Sequence, residues 1–258
     1  LEHKTNNFLA SVHIDKNVFG LALLDVSTGE FFVAQGDKEY TEKLLQTLRP
    51  SEVIVRKNNK EMFVQLFGTK FYIFTFDDWV FTFDFGYEKL LAQFQTKTLK
   101  GFGIEEMNTG IVAAGACLHY LSETQNSKTG HISKITRIEQ NDFVWMDHFT
   151  IRNLELISSP HQNATSLLQV IDSTTTPMGG RLLKRWLLLP LIDKKQIEQR
   201  QSVVGYFIEN QDIADSIICE LKQISDLERL ISKVTVNKVS PRELMQLARA
   251  LERTSVVK

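Results

Sequence analysis

The interpretation of the C-terminal half of the sequence depends on the stretch "TPMGGRLLKRWLLLPL" (Thr176–Leu191), which can be read in two ways. Its paired glycines, Gly179 and Gly180, begin a basic and apolar segment, where they could cradle a phosphate or allow a helix to pack closely. A phosphate loop needs the pattern GxxxxGK[ST] between a strand and a helix. The sequence contains no Gly-Lys dipeptide, so the closely packed helix is the favoured interpretation.

A helix that starts at Pro177 gives this stretch one apolar face. Gly179 falls on the same side as Leu183 and Trp186, at helical spacing. A glycine there lets a neighbouring backbone approach closely, although it costs about 1 kcal/mol in helix propensity relative to alanine. The opposite, polar face carries Arg181, Lys184 and Arg185. We therefore expect Trp186 to be buried in a packed helix face.

The composition is that of a globular protein with a sizeable core, since 43% of the 258 residues are hydrophobic and 24% are charged. The formal net charge of −1 gives no electrostatic reason to expect strong nucleic-acid binding. Cys117 and Cys219 are isolated, so we expect neither a disulfide framework nor a zinc site, and a reducing intracellular compartment fits. No apolar run reaches the 18 residues that predict a membrane span. The first residue is Leu1, which indicates a processed chain or a fragment.

Residues 1–125 have the pattern of an α/β domain. The short β-rich runs "FLASVHI", "VFGLALLDV" and "EFFVAQG" predict an antiparallel meander. Helical segments then alternate with the apolar runs "SEVIVRK" and "KFYIFTF", which is typical of an α/β layer. The last part of the domain reads as helical. Its small residues, which allow close packing, are Gly110, Ala113, Ala114 and Ala116.

The remainder of the chain reads as a linker followed by an all-α domain. The polar segment "NSKTGHIS" opens a linker and extended segment that we place at residues 126–150. Residues 151–258 are predicted to be helical, with Asp193 as an N-cap. "SPREL" predicts a helix start in which Ser240 and Glu243 form a capping box. Because the last helix has no stop signal, this all-α domain is expected to be incomplete.

Carboxylates in the first domain leave a second function open, that of a metal-dependent nuclease. A strand meander followed by α/β units is compatible with a ribonuclease H-like sheet, whose enzymes gather carboxylates around two metal ions. Asp15 and Asp25 are the candidate ligands. Both stand at strand ends beside turns, where aspartates usually shape the turn. The other aspartates considered are Asp77, Asp78 and Asp84.

Aromatic residues are dense between Phe71 and Tyr87 and could stack on single-stranded nucleic acid. Such platforms also carry basic residues, whereas the charges interleaved here are acidic. Core packing is therefore the favoured interpretation of this run. A third function, a helical adaptor that binds proteins and never touches DNA, also stays open.

Several motifs in order resemble the MutS family of bacterial DNA mismatch-repair proteins. "DVSTGEF" (Asp25–Phe31) and "RPSEVIV" (Arg49–Val55) resemble its connector domain, and "RNLEL" (Arg152–Leu156) resembles the start of its core, or lever, domain. "DLERL" (Asp226–Leu230) and "SPREL" continue the lever pattern. The individual residues that carry the lever resemblance are Arg152, Asn153, Glu155, Thr176, Met178, Gly179, Arg181, Trp186, Pro190, Asp226 and Arg229.

The resemblance implies a ribonuclease H-like α/β connector that offers a surface to MutL, followed by the first part of a helical lever. In that family the lever relays between mismatched duplex DNA and distant ATP sites, and the protein works as a dimer in the bacterial cytoplasm, at the nucleoid. This sequence contains no Walker A loop, and the Phe-x-Glu wedge of the family's N-terminal mismatch reader is expected to precede Leu1. The resemblance therefore carries over no catalytic, cofactor-binding or metal-binding residue. ATP and magnesium are expected in the parent protein, and this chain is expected to bind DNA weakly or not at all and no membrane.

Overall fold

The structure, a computed structural model, describes residues 4–125, 129–159, 161 and 164–257. The chain forms two compact units. An α/β unit comprises Asn7–Gln140, and a helical unit combines Leu1–Asn6 with Asn141–Lys258. The α/β unit is thus inserted between two stretches that belong to the helical unit.

Six strands lie in the described part of the α/β unit: β1 (Leu9–Asp15), β2 (Val18–Asp25), β3 (Glu30–Gly36), β4 (Glu52–Arg56), β5 (Tyr72–Phe76) and β6 (Thr136–Arg137). Its α-helices are α1 (Lys38–Leu48), α2 (Lys60–Phe67), α3 (Phe83–Phe94) and α4 (Asn108–Gln125). The described α-helices of the other unit are α5 (His148–Asn153), α6 (Leu167–Ile171), α7 (Pro177–Leu188), α8 (Lys194–Glu209), α9 (Gln211–Leu221), α10 (Leu227–Thr235) and α11 (Pro241–Val257). Short 3-10 turns span Lys57–Asn59, Asp78–Phe81, Lys100–Phe102 and Gln140–Asp142.

The six strands form one mixed sheet in the order β5-β4-β1-β2-β3-β6. β1, β2 and β3 pair antiparallel, which confirms the predicted meander, and β4 and β5 add in parallel beside β1. Leu21 and Leu23 on β2 point to the opposite face from Ala22 and Leu24, and all four are buried. Both faces of the central strand are therefore covered.

Helix α4 packs on the sheet through small residues, as the sequence predicts. Ala113, Ala114 and Ala116 are fully buried in the core cluster. A close approach joins α4 to α3, because a methyl group on Gly115 would overlap the backbone of Gly86. A methyl group on Gly20 of β2 would likewise overlap the backbone carbonyl of Thr109. Bare backbone at these positions lets the helices lie directly on one another and on the sheet.

The α/β unit extends beyond residue 125, where the sequence analysis ends it. β6 pairs in parallel with β3, and Ile132, Ile135 and Ile138 are buried. The Tyr40 hydroxyl donates to the carbonyl oxygen of Ile138 at 2.9 Å. Of the linker predicted at 126–150, residues 126–128 lie outside the described residues. The segment from 132 to 138 completes the sheet and the core, since its three isoleucines are buried. The polar residues around them make the segment read as a linker in the sequence.

The aromatic run only partly follows the core-packing prediction. Phe81 is buried, whereas Tyr72 and Trp79 are exposed. Trp79 and Phe85 contact the ring of His119, at centroid distances of 5.1 and 5.4 Å. Burial lowers the pKa of His119, which keeps this imidazole neutral among the rings. The aromatic run therefore lies at the edge of the core of the α/β unit, with some rings buried and others exposed at the surface.

Local signals for the starts of two helices are confirmed. The Asp193 carboxylate accepts from the backbone amide of Lys195 at 3.0 Å and caps α8. At the start of α11, the Ser240 hydroxyl accepts from the amide of Glu243, and Glu243 accepts in return from the amide of Ser240 at 2.8 Å. These bonds satisfy amides that a helix start leaves without an intrahelical partner.

We predict that Gly115→Ala destabilises the α/β unit by about 1–3 kcal/mol, because the added methyl group forces α3 and α4 apart. Gly101→Ala is the matched control, since its new methyl group would meet no atom within 4 Å. Urea unfolding followed by circular dichroism measures both. Equal unfolding free energies for the two variants would show that the contact between α3 and α4 tolerates a side chain.

Candidate functional site: an ionic junction in the helical unit

The stretch that carries the paired glycines is a helix. Thr176 is the N-cap of α7, and its hydroxyl accepts from the amide of Gly179 at 3.1 Å. Pro177 occupies the first helical position, where its missing N–H costs no hydrogen bond. The structure thus agrees with the helical interpretation of Thr176–Leu191.

The buried face of α7 is not the predicted one. The buried residues are Gly180, Arg181 and Leu188, whereas Trp186 is 40% exposed. The guanidinium of Arg200 lies 3.7 Å from the centroid of the Trp186 ring. The prediction that Trp186 is buried in a packed face is therefore wrong. The apolar pattern assigned Arg181 to the polar face, but ion pairing compensates for its burial.

Close approach occurs at the second glycine of the pair. The atoms nearest to a methyl group on Gly179 belong to side chains of the preceding loop, with the Thr176 Oγ1 at 3.2 Å. A methyl group on Gly180 would instead lie 2.8 Å from Cδ and 2.9 Å from Cγ of Lys4. The predicted close approach of a backbone at Gly179 is therefore wrong. It is Gly180 that needs to lack a side chain.

Arg181 forms the centre of a buried ionic junction. Its Nη1 and Nη2 donate to the two carboxylate oxygens of Asp226 at 2.9 and 2.7 Å, in a bidentate pair. Nη2 also donates to Oε2 of Glu228 at 2.6 Å. The Arg181 side chain is 2% exposed, so water screens this pairing little. The junction joins α7 to the start of α10.

Asp226 serves the junction in two ways. It is the N-cap of α10, accepting from the amide of Arg229 at 3.4 Å, and it is the bidentate partner of Arg181. Burial alone would raise the pKa of Asp226, but the hydrogen bonds and charge of Arg181 outweigh burial and hold that pKa below its ordinary value. For Arg181, burial alone would lower the pKa, but the hydrogen bonds that it donates to Asp226 and Glu228 outweigh burial and raise its pKa. Both groups therefore stay charged at neutral pH.

Residues from the start of the chain reach the same junction. The Lys4 ammonium donates to both carboxylate oxygens of Asp172, at 3.0 and 2.9 Å, and to the Thr174 hydroxyl at 3.1 Å. Nη2 of Arg229 donates to the carbonyl oxygen of Thr5 at 2.9 Å. The structure thus brings together Arg181, Asp226 and Arg229 of the sequence motif, whereas Thr176 caps α7. Sequence reasoning missed Lys4, Asp172 and Glu228.

Other motif residues lie apart from these contacts. Arg152 and Asn153 are exposed at the end of α5. Glu155 has a positive φ of 49°, and its carbonyl oxygen accepts from the amide of Leu167 at 2.9 Å. The Pro190 carbonyl oxygen accepts from the amide of Val144 at 2.7 Å. The half-buried Met178 lies on the first turn of α7. These positions shape turns and chain crossings of the helical unit.

Asp15 and Asp25 cannot share a metal ion in this fold. They end antiparallel neighbouring strands, and Asp15 pairs in register with Val18 at the far end of β2. Asp25 stands at the other end of this eight-residue strand, about 23 Å away at the usual rise per residue. Asp25 is buried and accepts from the amide and hydroxyl of Ser27 at 2.9 and 2.7 Å. The turn-shaping interpretation of Asp25 therefore agrees with the structure, and the proposed pairing of Asp15 with Asp25 is wrong.

No group of three or more histidine, cysteine, aspartate or glutamate residues in the described part of the chain is placed to hold a metal ion. Among the same residues, no helix has the length and apolar character needed to cross a membrane.

We predict that Arg181→Ala destabilises the helical unit by about 3–5 kcal/mol, because it leaves the buried carboxylate of Asp226 without its partner. Trp186→Ala removes a ring that is 40% exposed and should cost about 1–2 kcal/mol. The control is Arg249→Ala, an exposed position on α11. Urea unfolding ranks the three variants. A greater loss for Trp186→Ala than for Arg181→Ala would contradict this assignment of the buried face.

Two family models match the chain in consecutive order. Residues 7–133 match the model described as MutS domain II, and residues 149–258 match the model described as MutS domain III. The first match lies within the α/β unit, and the second lies within the helical unit.

Curated relatives match over nearly the whole chain. The DNA mismatch repair protein MutS of Flavobacterium johnsoniae is 54% identical over 252 residues, 98% of this chain and 29% of the relative. The proteins of the same name from Christiangramia forsetii and Cytophaga hutchinsonii are 53% and 49% identical, over 100% and 98% of the chain. This chain spans about 30% of the length of those two relatives. On the strength of both models and this identity, the chain belongs to the MutS family.

Proposed function

We propose that the chain is the connector and the first part of the lever of a bacterial, cytoplasmic mismatch-recognition protein. In this role it relays between mismatched DNA, ATP sites and MutL, in a protein that dimerises. Support comes from relatives named DNA mismatch repair protein MutS, of which the chain covers about 30%. The chain's own contribution is structural coupling.

The observation that carries the proposal is the ionic junction at Arg181. Coupling between distant sites requires packed elements with discrete arrangements, since loosely held segments absorb displacement locally. Arg181 and Asp226 fix α7 to the start of α10 through bidentate bonds within a buried environment. A displacement of one helix is therefore passed to the other.

The α/β unit is proposed to be a ribonuclease H-like connector that binds MutL. Its strand order supports this class, because an antiparallel meander is extended on the β1 side by two parallel strands. We do not propose a nuclease, since Asp15 and Asp25 lie at opposite ends of the β1–β2 pair. Nothing in the fold favours a free-standing adaptor.

We propose that this chain holds no cofactor and catalyses no reaction of its own, and that ATP and magnesium act in the parent protein. The sequence offers no Gly-Lys phosphate loop. With a net charge of −1, the chain alone is proposed to bind duplex DNA weakly and without preference for a mismatch.

The proposal predicts that the chain can replace its counterpart in a relative. A chimera of Flavobacterium johnsoniae MutS, with the matching 252 residues exchanged for those of this chain, should restore a low mutation frequency to a strain of that organism that lacks its MutS. The frequency of spontaneous rifampicin resistance measures this. Exchange is expected to work because each unit carries its own core.

Arg181→Ala in the chimera is the loss-of-coupling variant, and Arg249→Ala is its matched control. The first should raise the mutation frequency towards that of the deletion strain, and the second should leave it low. A chimera that is present at the normal level, yet does not lower the mutation frequency, would argue against the proposed function.

A further inference from the structure

We propose that residues 4–6 form a detachable strap of the helical unit, clipped to α7 and α10, and that its attachment couples those helices to the chain that enters the α/β unit. The strap is defined by residues 4–6, which belong to the helical unit although they precede the α/β unit in sequence. Its coupling role rests on the proposed relay function, whereas its attachment rests on contacts within the helical unit.

The first clip is the side chain of Lys4. Its ammonium bridges Asp172 and Thr174 in the loop before α7, with 2.9 Å to the nearer carboxylate oxygen. Its aliphatic stem lies against Gly180, where a methyl group would come within 3.1 Å of three consecutive Lys4 carbons. The aliphatic stem of Lys4 therefore packs on Gly180, the second glycine of the pair. The hydrogen bond between Lys4 and Thr174 links residues that are 170 positions apart in the sequence.

The second clip holds the backbone of the next residue. Arg229 donates to the Thr5 carbonyl oxygen at 2.9 Å, and its Nε lies 3.8 Å from Oδ2 of Asp226. Asp226 is the partner of Arg181, so the strap attaches where α7 and α10 are already joined. Two consecutive strap residues are thus held by two different helices.

The strap leads directly into a second anchor. The amide of Asn7, the first residue of the α/β unit, donates to Oδ2 of Asp25 at 3.2 Å. The Thr5 carbonyl and the Asn7 amide therefore fix the backbone on either side of Asn6, one in each unit. The strap is thus continuous with backbone that is fixed at Asn7.

The clips differ in strength from the junction beneath them. The Lys4 side chain is 44% exposed, whereas that of Arg181 is 2% exposed. Exposed ion pairs contribute little to stability and are screened by salt, whereas removing one partner of a buried pair is costly. The strap can therefore detach while the helices stay joined.

The rate of tryptic cleavage after Lys4 measures the attachment of the strap directly. Trypsin must bind both the lysine side chain and the adjacent backbone, and these are the groups that the two clips hold. Gly180→Ala displaces the lysine stem, and Asp172→Asn removes the charge while keeping an oxygen for the loop. We expect each to raise the rate of cleavage between Lys4 and Thr5 by roughly 3- to 5-fold, in line with the modest strength of an exposed ion pair. Mass spectrometry identifies the bond that is cut.

The controls are Gly205→Ala, where a methyl group would meet no atom within 4 Å, and Asp193→Asn at the cap of α8. Both should be cleaved after Lys4 at the wild-type rate. Circular dichroism would show whether all four variants keep their helices. A synthetic peptide of the first ten residues corrects for effects on the protease.

Salt supplies an independent arm. Raising the salt concentration to about 1 M shortens the Debye length to about 3 Å and should accelerate cleavage of the wild type more than that of Asp172→Asn. The proposed strap is contradicted if Gly180→Ala is cleaved after Lys4 at the same rate as Gly205→Ala, and Asp172→Asn at the same rate as Asp193→Asn. Wild-type cleavage at the rate of the free peptide would overturn it as well. Failure of the chimera described above would count against the relay but not change these rates.

Discussion

The helical unit depends on the bidentate pair between Arg181 and Asp226. A guanidinium that is 2% exposed is costly to bury unless its charge is paired, and here Asp226 and Glu228 accept hydrogen bonds from both of its terminal nitrogens. The same aspartate caps α10, so helix initiation and interhelical contact depend on one carboxylate. Packing alone does not explain this unit, because α8 and α9 show no buried residue. The ionic junction supplies geometry that the sparse apolar core does not.

The α/β unit relies on a different constraint, the close contact of backbones. Gly86 and Gly115 let α3 and α4 touch, and Gly20 lets α4 lie on β2. These contacts tolerate little change in volume, as close-packed interiors generally do. One unit is therefore organised by the absence of side chains and the other by paired charges. The key internal contacts are therefore steric in the α/β unit and ionic in the helical unit.

Local signals predict the fold better than they predict the junction. The meander, the cap at Asp193 and the capping box at Ser240 each need only neighbouring residues, so the sequence reveals them. Helical periodicity places Arg181 on the polar face, and its partner Asp226 is 45 positions away, so the local pattern does not reveal the buried pair. No sequence pattern indicates the role of Lys4, since its contact with Gly180 forms only in the tertiary fold. The sequence also does not reveal that the α/β unit extends to residue 140, because β6 has only two residues and is too short to give a strand pattern.

The most direct measurement is a double-mutant cycle between Arg181→Met and Asp226→Asn. Asparagine keeps an oxygen that can cap α10, so the cycle isolates the interhelical pair from the cap. If the junction holds the helical unit together, the double variant should lose less unfolding free energy than the sum of the single losses. The expected coupling is on the order of 2 kcal/mol. Losses that add to within about 0.5 kcal/mol would show that α7 and α10 are held by other contacts, and the account of the junction would be wrong.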